Sequence, residues 1–273
     1  MIKKFKNPIQ FFLLFLSCVI FFAFQLAAHE DSKNTDLAIV FVGNSITHGA
    51  TLEHPETDAP PAQACSMLRK MKGISSVRFS NQGVSGFTTV DFLPSTKTAF
   101  DNVTRAANVL KKDKKAQLIF SIMLGTNDSA INGPNGSPVS EKEYYLNLHT
   151  IIEQLLHDFP ECKIIINRPV WYSPNTYNSS QYLQEGLTRL QSYFPQIDSL
   201  VKTFDISNPR HVFKGDTAAF RYFKKHPAYL TPESGHAGTF YLHPNKEGAK
   251  KLAEFWSNAI YKMAFSDRQQ PAK

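Results

Sequence analysis

The run LIFSIML at residues 118–124 constrains the fold more than any other stretch of the chain. Its side chains are apolar apart from one serine, with no polar alternation, so both faces of an extended segment must be buried. A strand of that kind belongs in a parallel sheet covered by helices on both sides. Residues 38–42 (AIVFV) and 163–167 (KIIIN) are similar runs, and 77–80 is a shorter one. Helical spacing fills the intervals. It covers 62–71, 98–111 (Phe100, Val103, Ala106, Leu110) and 140–159 (Tyr144, Leu148, Ile151, Ile152, Leu155). Ser140 and Glu143 stand where a capping box would start the last of these. A helix over 180–204 is expected to break at Pro195. Residues 246–263 repeat the amphipathic pattern with Leu252, Trp256 and Ile260. Strand and helix in alternation predict one α/β domain with a central parallel sheet. Residues 205–240 show no periodicity, carry aromatics and histidines, and read as a long irregular connection of the functional kind.

The first 28 residues stand apart. Lys3, Lys4 and Lys6 precede an apolar stretch that ends in Ala27-Ala28 before polar His29-Glu30-Asp31. This is the pattern of a secretory signal peptide, with an uncleaved anchor as the alternative. The expected organisation is therefore a signal peptide over 1–28 and a single domain over 29–273, exported and without stable membrane association once the signal is removed. Setting aside those three lysines takes the formal net charge from +7 to +4. The densest basic run, residues 111–115, ends a helical pattern and reads as a solvated helix end. No basic stripe is interleaved with aromatics, so nucleic acid is not an expected partner. Cys65 and Cys162 both lie in apolar-periodic segments; a disulfide and two buried thiols are both open. No cysteine spacing suits a metal, and no metal or cofactor is expected.

In open α/β sheets, sites form beyond the carboxyl ends of strands. Gly43-Asn44-Ser45 follows the first strand, Asn81 to Gly86 the second, and Gly125-Thr126-Asn127-Asp128 the third; His243-Pro244-Asn245 precedes the last helix. Together they supply the parts of an acyl-transfer site. A serine hydroxyl becomes a nucleophile when a base takes its proton, and His243 is a base of suitable type. The developing oxyanion needs donors, and the Ser45 N–H, the Gly86 N–H and the Asn127 amide are candidates. His48, three residues past Ser45, and Arg168, after the fourth strand, are candidates for substrate contact; Arg168 has an equal alternative in pairing with an acid at the sheet edge. Asp128 reads as a structural acceptor.

The blocks VGNSIT, NQGVSG, LGTND and YLHPNKEGAKKLA, in that order, resemble the four signature blocks of the SGNH hydrolases, also called the GDSL esterase/lipase superfamily. The resemblance spans about residues 38–263. It implies a flavodoxin-like three-layer α/β/α sandwich, with Ser45 as nucleophile, His243 as base, and Ser45, Gly86 and Asn127 as the oxyanion hole. It also implies a serine esterase that needs no cofactor. The substrate class it suggests is a small-molecule or glycan ester, O-acetyl groups on carbohydrate first, because Trp171, Tyr172, Phe220, Tyr222 and Phe223 offer rings for sugar stacking. The alternatives are a lipid or aryl short-chain esterase, and a non-catalytic carbohydrate-binding protein on the same scaffold.

The chain departs from the pattern twice. Asn44 replaces the usual acid of the first block, a change of small consequence because Asn makes similar turn hydrogen bonds. The family's orienting acid lies three residues before the histidine, where this chain has Phe240. A Ser45–His243 dyad, its Nδ1–H held by a backbone carbonyl, is the expected arrangement. Glu233, the nearest upstream carboxylate, is the alternative orienting acid.

Overall fold

The computed structural model describes residues 34–265; the signal-peptide segment lies outside them. Five parallel strands form the central sheet: β1 (Thr35–Gly43), β2 (Ile74–Gly83), β3 (Gln117–Met123), β4 (Lys163–Ile166) and β5 (Val212–Lys214), in the order β2-β1-β3-β4-β5. This is a flavodoxin-like order, in keeping with the sandwich that the family resemblance implies. The first crossover runs one way from β1, and the later ones run the other way. Right-handed crossovers therefore put the helix between β1 and β2 on one face and those after β2, β3 and β4 on the opposite face. Helices α1 (Ser45–His48), α2 (Pro55–Asp58) and α3 (Pro60–Leu68) fill the first crossover. Helices α4 (Ala99–Leu110), α5 (Glu141–Asp158) and α6 (Leu183–Ser207) fill the next three. A short α7 (Ala219–Lys225) follows β5, and the terminal α8 (Lys246–Ala264) packs beside α3.

The core explains the apolar runs. From Leu37 to Val42 every residue of β1 is essentially inaccessible, as an interior strand of a doubly covered sheet must be. Trp256 of α8 stacks on Phe41 of β1 with ring centroids 5.8 Å apart. On the other face Tyr144 of α5 stacks on Tyr193 of α6 at 4.0 Å. Ser140 caps α5 with the expected box: its hydroxyl accepts from the Glu143 N–H and the Glu143 carboxylate accepts from the Ser140 N–H. Cys65 and Cys162 are separate buried thiols, and burial pushes each up to about 12.

Two expectations need correction. Helix α6 runs through Pro195 without ending. The proline removes one backbone donor, but Leu190, Tyr193, Ile197, Leu200 and Phe204 remain buried along one face, and that packing holds the helix across the gap. Residues 205–240 are also far more ordered than their composition suggests. They contain β5, α7 and most of an antiparallel hairpin, β6 (Leu230–Gly235) and β7 (Gly238–Pro244), which stands outside the main sheet.

The register sets the site. Gly43 at the end of β1 lies level with Gly83 of β2 and with Met123 of β3. The three blocks that follow these strands therefore leave the sheet side by side at one edge. The hairpin joins them there through Thr51, whose hydroxyl donates to the Pro244 carbonyl at 3.2 Å.

Candidate active site

Ser45 is the first residue of α1, placed directly after the buried end of β1. The Asn44 side chain caps this turn by accepting from the Ile46 N–H at 3.1 Å, so an amide does the capping that an aspartate would do elsewhere. A Cβ at position 43 would run into the Thr47 side chain, so only glycine lets the chain turn this tightly. The Ser45 residue is 9% exposed.

His243 reaches Ser45 from β7. Its Nε2 lies 2.9 Å from the Ser45 Oγ. Its Nδ1 lies 2.9 and 3.0 Å from the two Glu233 carboxylate oxygens, and its backbone N–H donates to the same carboxylate at 3.3 Å. An ionised carboxylate only accepts, so Nδ1 carries the proton and the Nε2 lone pair faces the serine hydroxyl. The side chains are only 12% and 20% exposed, so water screens the His243–Glu233 contact weakly.

This replaces the expected carbonyl-held dyad with a carboxylate contact. Phe240, at the position where the resemblance places an acid, is 1% exposed. Its cross-strand partner in the hairpin is Glu233. The acid thus stands on the strand opposite the usual position. The signal was present in the sequence: Gly235 and Gly238 flank a two-residue turn between two short β-compatible runs.

The candidate oxyanion donors occupy the neighbouring loops. The chain after β2 turns back with the Val84 N–H on the Gly43 carbonyl at 3.0 Å, one residue before the Asn44 cap. Gly86 in this turn has φ +81, and a Cβ there would meet nothing within 4 Å. That left-handed backbone is one glycine adopts without steric cost. Asn127 is 3% exposed. One of its amide N–H groups donates to the Phe87 carbonyl at 2.9 Å, and its Oδ1 accepts from the Tyr182 hydroxyl at 2.8 Å. Sequence reasoning did not find Tyr182, which is distant in the chain from Asn127.

Asp128 is the structural acceptor its position suggested. Its Oδ1 takes the Thr89 N–H at 2.9 Å and the Thr89 hydroxyl, which ties the loop after β3 to the loop after β2. Its Oδ2 is buried without a partner. Burial raises its pKa from the usual 3.8 to about 6, against the lowering effect of the Thr89 bonds.

The candidates for substrate contact divide. His48 is exposed at the end of α1. Arg168 takes its pairing alternative: its guanidinium meets Asp198 at 2.7 Å and lies 5.0 Å over the Phe194 ring. Most of the rings offered for sugar stacking are core. Trp171, Tyr172, Phe220 and Phe223 are each no more than 8% exposed, and Tyr222 packs among Phe223, Tyr229 and Phe255. Their clustering in sequence reflects packing. A more open ring pair, exposed His236 against half-buried Tyr177, sits at the tip of the hairpin with centroids 4.8 Å apart. Among the described residues no three His, Cys, Asp or Glu side chains are grouped to hold a metal, and no helix is long and apolar enough to cross a membrane.

Comparison with known proteins bears on the family and the fold. The model of the GDSL-like Lipase/Acylhydrolase family matches residues 41–251. No curated protein matches the chain. Among solved structures, a carbohydrate acetylesterase from Sinorhizobium meliloti is 15% identical with a TM-score of 0.56, over 83% of this chain and 99% of that one. A catalytic mutant of an acetylxylan esterase from Geobacillus stearothermophilus is 20% identical with a TM-score of 0.57, over 84% and 96%. An aryl esterase from M. smegmatis is 14% identical with a TM-score of 0.56, over 83% and 99%. At these identities the likeness is one of fold, and the family match carries the assignment: the chain belongs to the GDSL-like lipase/acylhydrolase family and is a carboxylic ester hydrolase.

Proposed function

We propose that the protein is a serine esterase that removes small acyl groups, O-acetyl foremost, from carbohydrate, through an acyl-enzyme on Ser45. The observation that carries this is the continuous relay from Glu233 through both ring nitrogens of His243 to the Ser45 hydroxyl. Ser45 Oγ attacks the ester carbonyl carbon while its proton passes to His243 Nε2. The Glu233 carboxylate holds the ring in the productive tautomer and stabilises the imidazolium that forms. The negative oxygen is met by the Ser45 and Gly86 N–H groups and by the remaining Asn127 amide N–H. The bond to the alcohol oxygen breaks, and that oxygen takes the proton from Nε2. Water then attacks the acyl carbon, gives a proton to His243, and releases the carboxylic acid and a reprotonated Ser45.

Support for carbohydrate comes from the acetylesterases that share the fold and from the open Tyr177–His236 pair at the tip of the hairpin that carries the relay. The aryl esterase among them keeps a short-chain aryl ester as the second reading. The residues before 29 support export. Hydrolysis of p-nitrophenyl acetate by the parent and by Ser45→Ala tests the chemistry; equal turnover by the two sinks it. A panel of acetylated glycans against aryl and medium-chain acyl esters tests the substrate, and a higher kcat/KM on the aryl or longer esters overturns the carbohydrate assignment.

A further inference from the structure

Asn127 is held from two sides. The Phe87 carbonyl is an obligate acceptor, so it decides which end of the amide carries nitrogen. The Tyr182 hydroxyl then faces the amide oxygen and must donate to it. Two of the three amide roles are thereby used, and one N–H is left to meet a substrate oxygen. Burial pushes the Tyr182 hydroxyl well above the usual phenol range, so it stays protonated, and therefore a donor, wherever an esterase works.

Tyr182 is itself fixed with care. It ends the stretch 173–182, which lies along the hairpin that carries Glu233 and His243. The Ser173 N–H donates to the Tyr241 carbonyl at 2.8 Å and the Tyr241 N–H donates to the Ser173 hydroxyl at 2.9 Å. The Asn175 amide donates to the Thr239 carbonyl at 2.7 Å, and the His236 N–H donates to the Tyr177 carbonyl at 2.8 Å. At its end, the N–H groups of Tyr182 and Leu183 both reach the Thr176 carbonyl. Leu183 is held there at φ +53, a conformation that side chains other than glycine rarely take. Backbone held in such a region persists where its surroundings over-determine it, and such places cluster at sites. One strap thus touches the acid–base hairpin along its length and the oxyanion amide at its end.

We propose that Tyr182 is a positioning residue for the oxyanion hole: its hydroxyl orients and polarises the Asn127 amide toward the reacting oxygen. This rests on the esterase function proposed above. A bond to the amide oxygen draws electron density away from the nitrogen and strengthens the N–H left for substrate. Because the oxyanion exists only after attack, the benefit falls on the transition state and not on substrate binding.

The test is a double-mutant cycle on p-nitrophenyl acetate with Tyr182→Phe, Asn127→Ala and the pair, with Ser45→Ala as the chemical control. Loss of one oxyanion donor in Asn127→Ala should cost about 10²-fold in kcat, and Tyr182→Phe about tenfold with KM nearly unchanged. In the Asn127→Ala background, Tyr182→Phe should cost nothing more, which a merely structural tyrosine would not achieve. Full additivity, or a parental kcat in Tyr182→Phe, overturns the assignment while Ser45→Ala still reports an intact mechanism. A Ser45→Ala protein as active as the parent removes the esterase function and the Tyr182 role with it. Should Tyr182→Phe fail to fold, 3-fluorotyrosine at 182 keeps the hydroxyl and alters its donor strength. A changed kcat at constant KM then supports the role, and an unchanged kcat overturns it.

Discussion

The candidate site is assembled from two unlike regions. Ser45, Gly86 and Asn127 come from the segments that follow β1, β2 and β3 of a sheet in which β1 is buried from Leu37 to Val42. Glu233 and His243 come from a two-stranded hairpin outside that sheet. Isolated hairpins are marginal by themselves, so this one depends on its partners, the 173–182 strap and the Thr51 contact. The contrast teaches a division of labour. The proposed nucleophile and oxyanion donors are fixed by the main core, while the proposed proton-handling pair arrives as one unit whose internal geometry is set by strand register.

The strongest way to break this comparison is Glu233→Gln. An amide offers a donor as well as an acceptor to Nδ1 and loses the charge that favours imidazolium. The expected result is a fall in kcat of about 10³–10⁴-fold with a parental melting temperature. A near-parental rate would return the site to a dyad and leave the hairpin a structural role only.

Phe240→Asp sharpens the same contrast from the stability side. The family position would regain its acid, but the side chain at 240 is 1% exposed. An unpaired charge there should destabilise by roughly 3–5 kcal/mol, seen as a large drop in the denaturation midpoint. Restored activity in the Glu233→Gln/Phe240→Asp pair would show that position 240 can reach His243 after all.

Asp128→Asn tests the tie between the two loops of the sheet region. The folded protein keeps the Asp128 proton up to about pH 6, whereas the unfolded chain releases it near 3.8. Raising the pH through that window therefore costs folded-state stability, on the order of 3 kcal/mol. The amide variant keeps an acceptor for Thr89 and has nothing to ionise. Denaturant titrations at pH 4 and 7 should show the parent losing this contribution while Asp128→Asn stays level; parallel curves for the two proteins would refute the assignment of this titration to Asp128.

His48→Ala carries the smallest expected effect. The side chain is exposed, so stability should move by no more than about 0.5 kcal/mol. Its proposed contact with substrate predicts a change confined to KM, and an unaltered KM on every ester removes it from the site.

Much of this molecule was legible in one dimension. The runs at 38–42, 118–124 and 163–167 declare buried strands because a stretch without alternation has no face to offer water. The turns that follow them declare the site because glycine, asparagine and serine at strand ends need only local geometry, as the Asn44 cap on Ile46 illustrates. The break expected at Pro195 failed because burial of neighbouring side chains outweighs one lost backbone bond. The rings offered for sugar failed because aromatic clusters serve cores as readily as clefts.

What the sequence by itself determined is the order of the layers, the edge at which the candidate site opens, and the pairing of Ser45 with His243 there, with Gly86 and Asn127 in the neighbouring loops. What only the tertiary structure decided is which groups face them: Glu233 on His243, and Tyr182 on Asn127. The reason is physical. A turn or a strand is set by a few adjacent residues, as the Gly235 and Gly238 turn shows, but which side chains then meet across the molecule depends on how that hairpin and the loops pack, and packing leaves no local mark.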